Sequence, residues 1–156
     1  MRKLFFSNGT SENVASLGVL ILRLSIGLMM LLGHGWEKFK DYSNLKEKFT
    51  PPDTWILGWM NNTTCLVSTI FAEVVCCALI VIGFATRPAA AVLAFTMTIA
   101  AFVSCTELPF FMSQNSPHAK EPAILYLIPA VVIFIMGAGK YSFDAALSVE
   151  KKRMFR

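Results

Sequence analysis

Residues 66–88 read LVSTIFAEVVCCALIVIGFATRP, and this stretch decides the fold. The 19 residues from Leu66 to Phe84 are apolar almost throughout and carry one charge, Glu73. A run of ~20 apolar residues is long enough to cross a bilayer as a helix. A helix also satisfies its own backbone in lipid without a partner strand. The run ends at Gly83, and a polar Thr86-Arg87 turn leads to Pro88, which opens a second apolar run. Counted from Cys65 and from Thr86, Glu73 lies ~12 Å and ~20 Å from the two ends at ~1.5 Å per residue. A carboxylate at that depth must face protein, be paired or be protonated.

Working outward, four spans emerge: 14–35, 66–84, 88–105 and 123–139. The 156 residues make one domain, all-α, an integral membrane bundle of four transmembrane helices with a longer outer loop between the first two. Composition agrees: 55% of residues are hydrophobic, 15% are charged, and the mean hydropathy is +0.58. The net charge of +4 is not a nucleic-acid signal, because the basic residues other than Arg23 sit in loops and tails. The polar start, Met1 to Asn13, has no small-residue cleavage site behind the first apolar run and reads as an uncleaved anchor.

Basic residues set the orientation. Arg2, Lys3, Arg87, Lys140, Lys151, Lys152, Arg153 and Arg156 lie on one side, 8 against the 5 of Lys38, Lys40, Lys46, Lys48 and Lys120. The bias predicts both termini in the cytoplasm, in a bacterial inner (plasma) membrane. In the long loop Trp36, Phe39, Tyr42, Leu45 and Phe49 recur at helical spacing. Pro51-Pro52 then break the pattern before Trp55 and Trp59. This predicts one or two short helices at headgroup depth. Pro88 suits a helical first turn, and Pro129 should kink the fourth span. Ser142 is placed to cap a final helix, Phe143 to Lys152, whose basic end would rest against anionic lipid.

Seven residues are candidates for chemistry from position alone: Arg23, His34, Lys38, Glu73, Glu107, His118 and Glu121. Arg23 lies inside the first span, with Gly27, Met30 and His34 on the same helical face and Lys38 ~60° off it. Arg23 and Glu73 occupy overlapping depths on consecutive antiparallel spans, and an ion pair between them is expected. That pair either fixes helix register or lines a polar pocket for a small molecule such as a quinone head. His34, Lys38, Glu107, His118 and Glu121 should share the outer face. No His or Cys spacing characteristic of a metal site is present, so no metal is expected.

Cys76 and Cys77 read as small packing residues. Cys65 and Cys105 lie 21 and 19 residues from Thr86 on facing helices, and reach the outer surface at similar depth. A disulfide between them is one expectation, and two unrelated thiols the other.

The ordered set Arg23-Leu24, Gly27, Gly35 and Lys38, then Glu73, Gly83 and Thr86-Arg87-Pro88, then Glu121, Tyr126, Gly137, Gly139, Tyr141, Ser142 and Asp144 resembles the DoxX family of small four-span membrane proteins. The resemblance runs from Leu17 to Ala145. It implies a four-helix membrane bundle and adds Tyr126 to the pocket residues. The family takes its name from a subunit associated with archaeal quinol oxidation, and related proteins are similar to partners in thiosulfate–quinone or thiol-stress systems. The long loop before Cys65 departs from a minimal member.

Three functions follow as expectations. The first is a subunit or accessory factor of a quinone- or thiol-linked membrane redox system. The others are a non-catalytic scaffold or assembly protein, and a small-solute transporter or channel. No haem pair, flavin motif or iron–sulfur spacing is visible, so electron transfer would need a quinone or a redox partner subunit. The sequence leaves homo-oligomer formation open, and the bilayer is the partner it predicts directly.

Overall fold

The computed structural model describes residues 11–49, 60–113 and 118–154, together with Gly58. Its long elements are helices: α1 Glu12–Lys40, α2 Tyr42–Lys48, α3 Asn62–Ile82, α4 Thr86–Ser104, α5 Glu121–Met136 and α6 Phe143–Met154. Three of them, α1, α3 and α4, are long and apolar enough to cross a membrane. The fourth bundle helix, α5, is apolar but has 16 residues. Pro122 lies in its first turn, Pro129 lies inside it without breaking it, and Gly137 at φ 82 ends it.

The four long helices pack as neighbours in chain order, α1 on α3, α3 on α4, α4 on α5 and α5 back on α1. The centre is filled by Ile26, Met30, Cys77, Ile80, Leu93 and Ile133. The α4–α5 pairing is the most extensive, and Ala89, Ala90 and Ala130 are buried in the core. Side chains this small let backbones approach where lipid supplies no hydrophobic drive. Val14, Leu17, Ile21, Leu24, Leu28 and Leu32 form an exposed stripe along α1, as a helix in hydrocarbon should.

The first span was expected to stop at Gly35, but α1 continues to Lys40 and turns at Asp41. At ~1.5 Å per residue it is ~43 Å long, more than a ~30 Å hydrocarbon core, so its ends project. The predicted interfacial helix is α2, held to the start of α3 by the Asn62 side chain donating to the Glu47 carbonyl at 3.1 Å. Pro51-Pro52, Trp55 and Trp59 lie outside the described residues, as do Arg2 and Lys3.

One feature has no simple sequence signal. Each of α1, α3 and α4 contains a wide π-helical stretch, Leu31–Gly35, Phe71–Cys76 and Ala100–Ser104. Leu31–Gly35 and Ala100–Ser104 lie far from the Gly83–Ala85 turn, and Phe71–Cys76 lies at the middle of α3. Such stretches accommodate one extra residue per turn and recur at functional sites.

Candidate functional site

The short-turn end is built from backbone carbonyls left over where helices stop. Helix α3 ends at Gly83, at φ 79, and the chain turns through Ala85, at φ 47, into α4. The last carbonyls of a helix have no partner within it, and Arg23 supplies one. Its Nε donates to the Ile80 carbonyl at 2.8 Å and its Nη2 to Val81 at 3.0 Å. Nη1 reaches the Ala138 carbonyl at 2.5 Å and Tyr141 at 3.3 Å in the segment after α5. One guanidinium therefore ties α1, α3 and the α5–α6 link together, and Arg23 is 1% exposed. A cation at helix C-termini is also favoured by the helix dipole.

Asp144 completes this knot from the start of α6. Its carboxylate accepts the Ala85 N–H at 2.8 Å and the Thr86 N–H at 3.0 Å, so it caps the N-terminus of α4 across the chain. Its own N–H donates to the Gly83 carbonyl at 2.9 Å. Burial pushes the Asp144 carboxyl up. The N–H bonds from Thr86 and Ala85, joined by the charge of Arg23, outweigh burial and hold the group below its ordinary value. Ser142 accepts the Ala145 N–H at 3.1 Å, the cap read from sequence. Arg87 donates to the Ile135 carbonyl at 3.3 Å near the end of α5.

Glu73 has a different partner from the one expected. Lys38 Nζ meets both its carboxylate oxygens, at 2.6 and 2.5 Å. The Glu73 side chain is 5% exposed and that of Lys38 27%. The Arg23–Glu73 pair is thus corrected: the guanidinium binds at Ile80, seven residues from Glu73 along α3, roughly 10 Å along the axis. The long Arg23 side chain carries its guanidinium to the level of the Ile80 and Val81 carbonyls, away from Glu73. The wide turn in α1 also shifts Lys38. One extra residue lags the helix by roughly 100°, carrying Lys38 from one side of the Arg23 face to the other. Gly35 lets the two wide turns meet, since a Cβ there would stand 2.9 Å from the Glu73 carbonyl oxygen.

Beside this pair an open groove of about 410 Å³ runs along the membrane-facing surface, lined by Leu28, Met29, Leu32, Gly33, His34 and Tyr126. The His34 and Tyr126 rings meet edge to face at 5.6 Å between centroids. The wall is apolar, with two polar tips. Of the remaining expected residues, Glu107 is exposed and Glu121 accepts the Met112 N–H at 3.0 Å; neither joins the Lys38–Glu73 pair.

Cys65 and Cys105 are free thiols, as are Cys76 and Cys77. Equal depth did not bring the first two together. The opening stretch of α3 packs on α2, and Cys105 lies in the turn that ends α4. Among the described residues no three His, Cys, Asp or Glu side chains gather as a metal site.

The DoxX family model matches residues 18–105, more than half of the chain. No curated protein and no solved structure shows a significant match.

Proposed function

This chain belongs to the DoxX family of small membrane proteins, and from that premise we propose that it serves as an accessory subunit of a quinone-linked membrane redox system. The observation that carries the proposal is the groove at Leu28, Met29, Leu32, His34 and Tyr126. A quinone is an apolar ring with two carbonyl acceptors, usually on an apolar tail. It calls for an apolar wall open to lipid and a few polar groups that fix its orientation. Leu28, Met29 and Leu32 supply the wall, and the His34 imidazole and Tyr126 phenol supply the donors. The volume of about 410 Å³ falls in the range of small-molecule sites. A quinone bound there would accept and release electrons delivered by a redox partner; the chain's own residues would hold its head and keep it at membrane depth.

A scaffold role is the second reading, and one observation favours it. Arg23, Gly83, Thr86 and Asp144 are all engaged in joining helix ends, so these residues serve the fold whatever the groove does. One experiment separates the two. A photoreactive ubiquinone analogue is added to the protein in lipid nanodiscs and the label is mapped. The redox reading expects saturable labelling at residues 28–34 or 126, competed by unlabelled ubiquinone and weakened by Tyr126→Phe and His34→Ala. Labelling that is unsaturable, or spread over the lipid face, leaves the scaffold.

A further inference from the structure

We infer that α6 is a docking element for an anionic lipid surface, attached at the end of the bundle where the helix stops are knotted. The first turn of α6 is fixed to the bundle by Asp144, which bonds Gly83, Ala85 and Thr86, and by the Ser142 cap. Its exposed side chains near that turn are apolar. Phe143 is 52% exposed and Leu147, one turn on, 43%. Phe84 packs edge to face on Phe143 at 5.7 Å and is itself 42% exposed, and Tyr141 is 53% exposed. These four side chains sit where the spans α3 and α5 end, at the level where hydrocarbon gives way to headgroups. Aromatic and apolar groups at that depth are covered by lipid, not water.

The far end of α6 carries the opposite chemistry. Lys151, Lys152 and Arg153 are consecutive, and Arg156 follows. Arg87 adds charge at the same end of the bundle, whereas Lys140 there is matched by Glu12 at 3.0 Å. An apolar root at the boundary and a cationic tip fit one partner, a bilayer whose headgroups carry phosphate diesters with net negative charge. A neutral bilayer would cover Phe143 and Leu147 equally well but would leave the tip unattached. Each Lys or Arg near an anionic surface strengthens attachment roughly fivefold, so three amount to about a hundredfold at low salt.

The test uses the full chain in nanodiscs, one set of phosphatidylcholine alone and one containing phosphatidylglycerol, with amide hydrogen exchange read over residues 143–154. Slower exchange in the anionic discs, abolished by high salt and by the triple variant K151Q/K152Q/R153Q, supports the inference. Thermal unfolding of the triple variant checks that the bundle is intact. Equal exchange in the two lipids overturns it, as does a lipid dependence that survives in the triple variant. Protection reproduced in phosphatidylcholine discs by inorganic phosphate also overturns it, since that outcome marks a site for a free anion.

Discussion

Replacing Lys38 should cost more stability than replacing Glu73, although they form one ion pair. Lys38→Met removes the cation bonded to a carboxylate that is 5% exposed. Leaving a buried charge without compensation costs ~3 kcal/mol or more. Glu73→Gln removes the buried charge itself. The Lys38 side chain, 27% exposed, can then move its ammonium toward the polar end of the bundle along a flexible stem. That leaves a cost of about 1–2 kcal/mol, chiefly lost hydrogen bonds. The double variant should lie close to Glu73→Gln alone, giving a coupling energy of ~3 kcal/mol in a double-mutant cycle. For a chain of this size each kcal/mol moves the thermal midpoint by about 2–4 °C. Unfolding in mild detergent, followed by circular dichroism, measures all four species. The same cycle run on Arg23→Gln and Glu73→Gln should be additive within ~0.5 kcal/mol, because the guanidinium is bonded elsewhere. Equal losses for the two members of the Lys38–Glu73 pair with no coupling, or strong coupling of Arg23 to Glu73, would refute the reasoning.

Two further outcomes follow from the short-turn end. Ala85 holds φ 47, a left-handed conformation that glycine adopts without strain. Ala85→Gly should therefore raise stability by about 0.5–1 kcal/mol, and a lowered midpoint in the same unfolding assay would contradict this. Asp144 gains stability from being ionised in the folded state, because its carboxyl is held below the ordinary value. That stability is present above the unfolded-state value near ~4 and is lost as pH falls through the folded one. Unfolding followed from neutral pH into acid should show an acid-dependent loss that Asp144→Asn removes, and an unchanged pH profile in that variant would count against the cap.

Much of the bundle was legible in the chain because length and polarity report on lipid directly. The run from Leu66 to Phe84, the stop at Gly83, the cap at Ser142 and the helical spacing after Trp36 all appear where local chemistry places them. Partner choice was less legible. Counting residues fixes depth along an axis but not the azimuth of a side chain or how far it reaches. Hence Arg23 and Glu73 looked like partners, and Cys65 and Cys105 looked adjacent. The wide turns in α1, α3 and α4 compound the difficulty, since each shifts the helical phase of every residue beyond it. Asp144 as the cap of α4 was hidden for another reason: it lies 58 residues along the chain from Thr86, and capping rules read neighbours.

Those wide turns bear on how related chains should be compared. A π-helical stretch accommodates one additional residue inside an otherwise regular helix, so its removal restores an ordinary span. Relatives that differ at Leu31–Gly35, Phe71–Cys76 or Ala100–Ser104 should then differ in length by one residue within a span, where aligners penalise gaps most. A gap-free alignment across such a position would pair Lys38 with its neighbour's column and make a preserved ion pair look like a substitution. Aligning the two halves of each helix separately, with the break set inside the wide turn, avoids that error.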